Sequence, residues 1–132
     1  MRWEIFIIGK PQTFYLDALE EYRKRLSRDC KIRLHTLKNP GQLRKKWPAD
    51  CLRLRLVPGK TRLTSEKWAH TISGWQLRGK SRICVIIGEH NVTADQVISI
   101  SPLDMDPYLT AVLLAEQIYR GYRILEGHGY HK

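Results

Sequence analysis

The last six residues of the chain group several side chains that can do acid-base chemistry. His128, Tyr130, His131 and Lys132 supply two imidazoles, a phenol and an ammonium group within this short segment. Side chains of these types transfer protons near neutral pH or hold phosphate groups. A solvated chain end is the other interpretation, and the residues alone leave both open.

Three further features are candidates for a binding site. Arg120 and Arg123 lie one helical turn apart, where they either extend the terminal cluster or are solvated. Arg53 and Arg55 share one face of a predicted strand, so that face is either wet or meets an anion. Gly88 ends an apolar run, and it either lets a ligand approach the backbone or serves as a turn glycine.

Signatures of the common nucleotide-binding, zinc-peptidase and esterase sites are absent from the sequence. It has no Walker loop, no G-x-G-x-x-G, no H-E-x-x-H and no G-x-S-x-G. The cysteines, Cys30, Cys51 and Cys84, are odd in number and widely spaced. We therefore expect free thiols, with neither a disulfide framework nor a metal site.

The charge of the chain is concentrated in its middle. The sequence has 23 Lys and Arg against 13 Asp and Glu, a formal net charge of +10. Residues 23–82 hold 18 basic and 3 acidic residues, whereas the remainder holds 5 basic and 10 acidic. Such a field attracts polyanions, among which nucleic acid comes first and an anionic membrane surface second. A protein that is merely basic remains the alternative.

Length and composition indicate one ordinary globular domain over residues 1–132. The chain is 42% hydrophobic and 27% charged, which is enough apolar material for one core. No apolar run is long enough to cross a bilayer, and the first residues are too charged for a signal peptide. We therefore expect a cytoplasmic protein with no membrane partner.

Hydrophobic periodicity predicts the helices and strands that position these candidate residues. Three helices are predicted, with Thr13, Thr64 and Asp106 as N-caps and with the last helix ended by Gly127. Between Gln42 and Asp50 we expect no more than one helical turn. The predicted strands are Ile5 to Ile8, residues 31–37, Leu52 to Leu56, Ile83 to Ile87 and Val97 to Ser101.

This order of elements predicts an α/β domain with a mostly parallel sheet and flanking helices. Ligands of such sheets bind beyond the carboxyl ends of the strands. The turns after Ile8, Val57 and Ile87, together with the loop from Ile100 to Asp106, are therefore the expected ligand site.

The terminal segment "AEQIYRGYRILEGHGYHK" closely resembles the ending of the RlmH family, SPOUT-class methyltransferases that act on a pseudouridine of large-subunit ribosomal RNA. The resemblance extends over nearly the whole chain. "FIIGK" and "YLDALEEYRKRL" resemble the family's first strand and first helix, and "VPGKTRLTSEKWA" resembles its strand-turn-helix segment. "SISPLDM" stands where the family has its cofactor-binding loop.

The resemblance implies a SPOUT-type carboxyl-terminal trefoil knot, a homodimer, S-adenosylmethionine as cofactor, and structured RNA of the ribosomal large subunit as partner. It implies methyl transfer to ring nitrogen three of a pseudouridine, with Tyr130, His131 and Lys132 as catalytic residues. No metal is implied. The residues implied for the cofactor are Arg55, Gly88, Ile100, Ser101, Pro102, Leu103, Asp104 and Met105. Those implied for RNA are Arg23, Lys24, Arg44, Lys45, Lys46, Arg120 and Arg123.

The chain also departs from the family's pattern. Where the family has Gly-Gly-x-x-Gly after the central strand, residues 88–92 keep only the first glycine, and Glu89 and Val92 bring side chains that could narrow the methionine or ribose pocket. Pro107 and Ala111 replace a histidine and an arginine of the family that would face RNA or the active centre. A second hypothesis is therefore a catalytically eroded relative that serves as an RNA-binding or ribosome-assembly module. A third is an α/β domain that binds another nucleotide at the same edge.

Overall fold

A computed structural model describes residues 1–60, 63–88 and 92–127. Its helices are α1 (Thr13–Arg25), α2 (Pro40–Lys46), α3 (Ser65–Leu77) and α4 (Pro107–Leu125). Its strands are β1 (Arg2–Ile8), β2 (Lys31–Leu37), β3 (Leu52–Leu56), β4 (Arg82–Ile87) and β5 (Gln96–Ile98). All pair in parallel in one sheet of order β2-β1-β4-β3-β5, which confirms the predicted α/β class.

One face of the sheet carries the main core. Trp3, Ile5 and Ile7 of β1 point to this face, and the helices α1, α3 and α4 cover it. The rings of Trp3, Trp68 and Trp75 lie about 6 Å apart in tilted and edge-on contacts. Such aromatic pairs stabilise a core by about 1 kcal/mol each beyond the area they bury. β1 and β4 read as apolar runs because their residues on the opposite face are buried as well.

The opposite face is covered less completely. Phe6, Leu37 and Ile86 form a smaller buried cluster there, under Leu43 of α2 and the partly buried Trp47. α2 is the described helix that packs on this face. The half of the face near the amino ends of the strands is therefore less covered, and polar side chains lie there. Glu4, the buried carboxylate there, accepts a hydrogen bond from Arg82 Nε at 2.5 Å and lies 3.0 Å from Nε2 of His35. Burial opposes ionisation of Glu4, but these two partners outweigh it and lower its pKa.

Three details of the predicted elements were wrong. Residues 40–46 form two turns of helix where no more than one was expected, because the Asn39 side chain caps the helix by accepting from Gln42 N and Pro40 begins it. Thr13 is the first helical residue and not the cap, a position that Gln12 takes without a side-chain bond. β5 ends at Ile98, since the following residues leave the sheet to border a cleft.

Two expected features are confirmed by the structure. Cys30 and Cys84 are buried, Cys51 is partly buried, and all three are free. The side-chain caps predicted for α3 and α4 are present on Thr64 and Asp106. Among the described helices, none is long and apolar enough to cross a membrane.

Candidate functional site

A cleft lies at the carboxyl ends of β3 and β4, where the parallel sheet predicted a ligand site. The cleft has a volume of about 150 Å³ and opens to solvent. Its walls come from the ends of the two strands, the loop after β5 and the start of α4. The lining residues are Leu56, Val57, Pro58, Ile87, Gly88, Ile100, Ser101, Leu103, Asp104, Met105, Pro107 and Thr110.

Backbone hydrogen bonds join two of these walls. Val57 N donates to Ile98 O and Gly59 N donates to Ser101 O, both at 3.0 Å. A Cβ on Gly59 would strike the Ser99 side chain, so the absence of a side chain lets the two segments meet. The loop thus continues the sheet edge as a fixed wall, not as a free connection.

The loop after β5 is also held by its own side chains. Ser101 Oγ accepts from Leu103 N at 3.1 Å. Asp106 Oδ1 accepts from Tyr108 N at 2.8 Å and Leu109 N at 3.3 Å, which caps α4 where the loop ends. The cap fixes the position of Thr110, whose hydroxyl donates to Asp106 O at 3.1 Å.

Gly88 forms the floor of the cleft beyond β4. Its φ is +95°, and a Cβ there would lie 2.5 Å from the carbonyl oxygen of Ile8 and 3.2 Å from Cγ of Pro107. Only glycine fits this backbone at this distance. The absence of a side chain at Gly88 therefore lets the end of β4 pack against the end of β1 and the start of α4 beside the cleft.

The lining is suited to a ligand with an apolar, flat part and a polar part. Ile87, Ile100 and Leu103 are apolar, while Ser101 and Asp104 bring a hydroxyl and a carboxylate to the same cleft. The adenine ring and the methylene groups of S-adenosylmethionine match the first group, and its ribose hydroxyls and ammonium match the second. The residues present therefore fit this cofactor.

The structure brings together six of the eight residues predicted for the cofactor: Gly88, Ile100, Ser101, Leu103, Asp104 and Met105. Pro102 belongs to the same loop but does not border the cleft. Arg55 lies on the less covered face of the sheet, where its guanidinium donates to Val92 O at 3.3 Å. Arg55 is thus away from the cleft, because residues at odd and even positions of β3 point to opposite faces.

Some lining residues did not follow from sequence. The turn after β3 was predicted as a site, but Thr110 and Pro107 were not assigned to the ligand. The Asp-Pro pair at the start of α4 was the sequence signal for these two residues. It fixes where the helix begins and hence which side chains of its first turn face the loop.

The departures from the family's pattern have clear places in the fold. Ala111 is completely buried in the main core and does not border the cleft. Glu89 lies outside the described residues. Val92 packs against the smaller core cluster on the other face and does not border the cleft. Pro107 does border it.

Arg53 lies on the same strand face as Arg55. Its side chain is neither fully solvated nor paired with an anionic residue of the described chain. Its guanidinium donates to Pro48 O at 3.0 Å and lies 5.3 Å from the ring centre of Trp47. A main-chain carbonyl and an aromatic face satisfy this cation.

The predicted RNA-binding residues are spread over three helices. Arg23 and Lys24 are exposed on α1, and Arg23 pairs with Glu20. Lys46 is exposed at the end of α2. Arg44 and Lys45 lie in the same helix. On α4, Arg120 donates from Nε to Glu116 at 2.6 Å.

Arg123 differs from the others because its side chain is only 13% exposed. It pairs with Asp29 and Glu126 and lies 5.2 Å from the ring centre of Tyr119. Burial first, then a hydrogen bond involving Glu126, raises the pKa of Asp29 to about 6, while Arg123 acts in the opposite direction. These contacts favour a role for Arg123 in fixing α4 against the end of α1.

Tyr130, His131 and Lys132 lie outside the described residues. The helix that leads to them ends at Leu125, and Gly127 follows with a φ of +74°, as the sequence predicted for its stop. Among the described residues, no group of three or more metal-ligating side chains occurs.

A five-stranded parallel sheet with a cleft beyond its carboxyl ends is the architecture of α/β proteins whose ligands bind at this edge. Comparison with known proteins narrows this class. Residues 1–131 match the family model described as "Predicted SPOUT methyltransferase", so the chain belongs to the SPOUT methyltransferase family. Membership of this family implies the carboxyl-terminal knot.

Several relatives are similar over their whole length. Ribosomal RNA large subunit methyltransferase H 1 of a Thermoanaerobacter species is 38% identical over 133 residues, covering 100% of both chains. Ribosomal RNA large subunit methyltransferase H of Acetivibrio thermocellus is 31% identical over 159 residues, and that of Desulfotalea psychrophila 32% over 154, again with complete coverage of both chains. Complete coverage takes 133 aligned positions for the first relative and 154 to 159 for the other two, so this chain is closer in length to the first.

Proposed function

We propose that this protein transfers a methyl group from S-adenosylmethionine to ring nitrogen three of a pseudouridine in large-subunit ribosomal RNA. The cleft beyond β3 and β4 is the observation that carries the proposal, because it unites the loop after β5 with Gly88 in one lined space. The full-length similarity to enzymes named for large-subunit ribosomal RNA supports the choice of substrate.

S-adenosylmethionine, when bound, supplies an electrophilic methyl group. The chain's own part is to hold it: Ile100, Leu103 and Met105 exclude water from its apolar portion, and Ser101 and Asp104 offer hydrogen bonds to its polar portion. Gly88 borders the same space and keeps the end of β4 packed against β1 and Pro107.

The accepting nitrogen is part of an imide, which is only weakly acidic. It must lose its proton as its electron pair forms the bond to the methyl carbon. Tyr130, His131 and Lys132 position the pseudouridine and either take up its proton or stabilise the negative charge that develops on it. Arg23, Lys24 and the basic residues of α2 hold RNA phosphates. A homodimer and a cytoplasmic location complete the proposal.

The eroded-module hypothesis loses part of its support. Two of the substitutions that motivated it, at positions 92 and 111, place their side chains in the core and not in the cleft. An enzyme is therefore the function that the geometry supports best.

Calorimetric titration with S-adenosylmethionine, S-adenosylhomocysteine and ATP tests the cofactor. Wild-type protein should bind the first two in the micromolar range and ATP far more weakly. Met105→Trp, which fills the cleft from a lining position, should abolish binding. Leu77→Trp, at a position 86% exposed on α3, is the matched control and should bind normally. No heat with either sulfur compound would favour the binding module, and tight ATP binding would favour another nucleotide.

Removal of residues 130–132 tests the catalytic assignment. The shortened protein should bind S-adenosylhomocysteine as wild type does, yet methylate deproteinised large-subunit ribosomal RNA at least about 100-fold more slowly, the usual range for loss of general base catalysis. Nucleoside mass spectrometry measures the methylated pseudouridine. Full activity of the shortened protein would contradict the assignment.

A further inference from the structure

A basic region lies at the amino ends of the strands, at the edge of the sheet opposite the cofactor cleft. Two adjoining cavities open where β1, β2 and β4 begin, and they share Arg2, Ser27, Cys30 and Lys31 in their walls. We call the combined feature the amino-terminal basic cleft. Its cationic lining residues are Arg2, Arg23, Arg28, Lys31, Arg33 and Arg82.

The few carboxylates near this cleft are already neutralised. Asp29, the acidic residue in its lining, is 2% exposed and pairs with Arg123. Glu4 pairs with Arg82. In contrast, Arg2, Arg28, Lys31 and Arg33 are exposed and form no ion pair with any described residue. The cleft therefore presents a net positive surface that nothing in the described chain cancels.

The sheet register makes this arrangement costly for the folded protein. Arg2 is aligned with Lys31 on one side and with Arg82 on the other. Since Arg82 pairs with Glu4, Arg2 and Lys31 are the two cations that lie side by side without a counter-charge among the described residues. Like charges directly opposite each other destabilise a sheet. An external anion that bridges these side chains would relieve the repulsion.

We propose that the amino-terminal basic cleft binds the phosphate backbone of structured RNA as a second contact, separate from the site of methyl transfer. Guanidinium groups match phosphate oxygens in pairs, and a row of them suits successive phosphates better than one small anion. The RNA class rests on the proposed function. β1 has seven residues and spans about 20 Å, so a folded RNA can reach both edges of the sheet at once.

A second contact of this kind fits the chemistry of the reaction. The target is a single base, whose insertion in the cofactor cleft yields little affinity by itself. Phosphate contacts supply affinity without reading sequence, and a tethered second contact raises the effective concentration of the base at the cleft.

The double variant Arg2→Gln/Lys31→Gln tests the proposal by fluorescence anisotropy with labelled large-subunit ribosomal RNA fragments over a salt series. We expect about tenfold weaker binding and a salt slope reduced by about two, one per lost phosphate contact. Lys38→Gln/Lys67→Gln removes the same charge at exposed positions away from the cleft and should weaken binding less than about twofold. Equal losses in the two variants, or none in either, would overturn the proposal.

Two further measurements separate the possible failures. Thermal unfolding of the Arg2→Gln/Lys31→Gln variant should show no loss of stability, since removal of like charges relieves repulsion. If the wild-type protein methylates RNA and the variant still binds RNA normally, only the second contact is rejected. Specific RNA binding without methylation would reject only the proposed function. A variant that loses binding to phosphatidylserine vesicles but not to RNA would show that the cleft recognises lipid, and the proposal would be wrong.

Discussion

At Gly88 the main chain of β4 passes so close to β1 that a side chain has no space. The positive φ and the nearby carbonyl oxygen of Ile8 are two separate obstacles, one in the backbone and one in packing. Gly79 has a φ of +73° but nothing within 4 Å of an added Cβ. The two glycines therefore allow backbone strain to be separated from collision.

Gly88→Ala should lower the free energy of unfolding by about 3 kcal/mol, the sum of strain and collision. Gly79→Ala, which introduces strain alone, should cost about 1 kcal/mol. Urea denaturation followed by circular dichroism measures both. Equal effects of the two substitutions would show that the approach of Gly88 to Ile8 is not tight.

Single residues were the least predictable level of the site. The loop from Ile100 to Met105 was assigned correctly to one cleft wall because it follows a predicted strand and matches the family's loop. Arg55 was placed wrongly relative to the cleft, since the face toward which a strand residue points depends on which helices cover each side. The sequence offers no direct measure of that coverage.

At the scale of elements, α4 supports the site through its cap. Asp106 ends the loop after β5 and is also the N-cap of α4, so this one residue fixes both the loop wall and Thr110. The Asp-Pro pair made this start predictable. The short α2 was not predictable from its basic composition, and its cap on Asn39 was the overlooked signal.

Asp106→Ala removes two hydrogen bonds to the first turn of α4. We expect a loss of about 1–2 kcal/mol in the free energy of unfolding, together with weaker S-adenosylhomocysteine binding because the loop is released. Asp106→Asn retains the acceptor oxygen and should stay within about 0.5 kcal/mol of wild type. Urea denaturation and calorimetry give the two readouts. A stable Asp106→Ala protein would mean that the cap does not hold the loop.

At the scale of the whole molecule, the parallel sheet separates two kinds of surface. The carboxyl ends of the strands meet at a mixed apolar and polar cleft, while their amino ends meet at a basic one. The concentration of charge in residues 23–82 was evident from the sequence. Its position opposite the cofactor cleft required the strand order, because β1, β2 and β4 become neighbours only in the folded sheet.

This separation predicts different responses of the two ligands to salt. RNA affinity should fall roughly 50- to 150-fold between about 50 and 200 mM salt if about four phosphates are contacted, because cations bound to RNA are released when the protein binds. S-adenosylhomocysteine has no net charge at neutral pH and enters a partly enclosed cleft, so its affinity should change less than about twofold. Anisotropy and calorimetry on the same protein preparation measure the two. An equally steep loss of S-adenosylhomocysteine affinity would mean that the basic field extends to the cofactor cleft and that the two edges are not electrostatically separate.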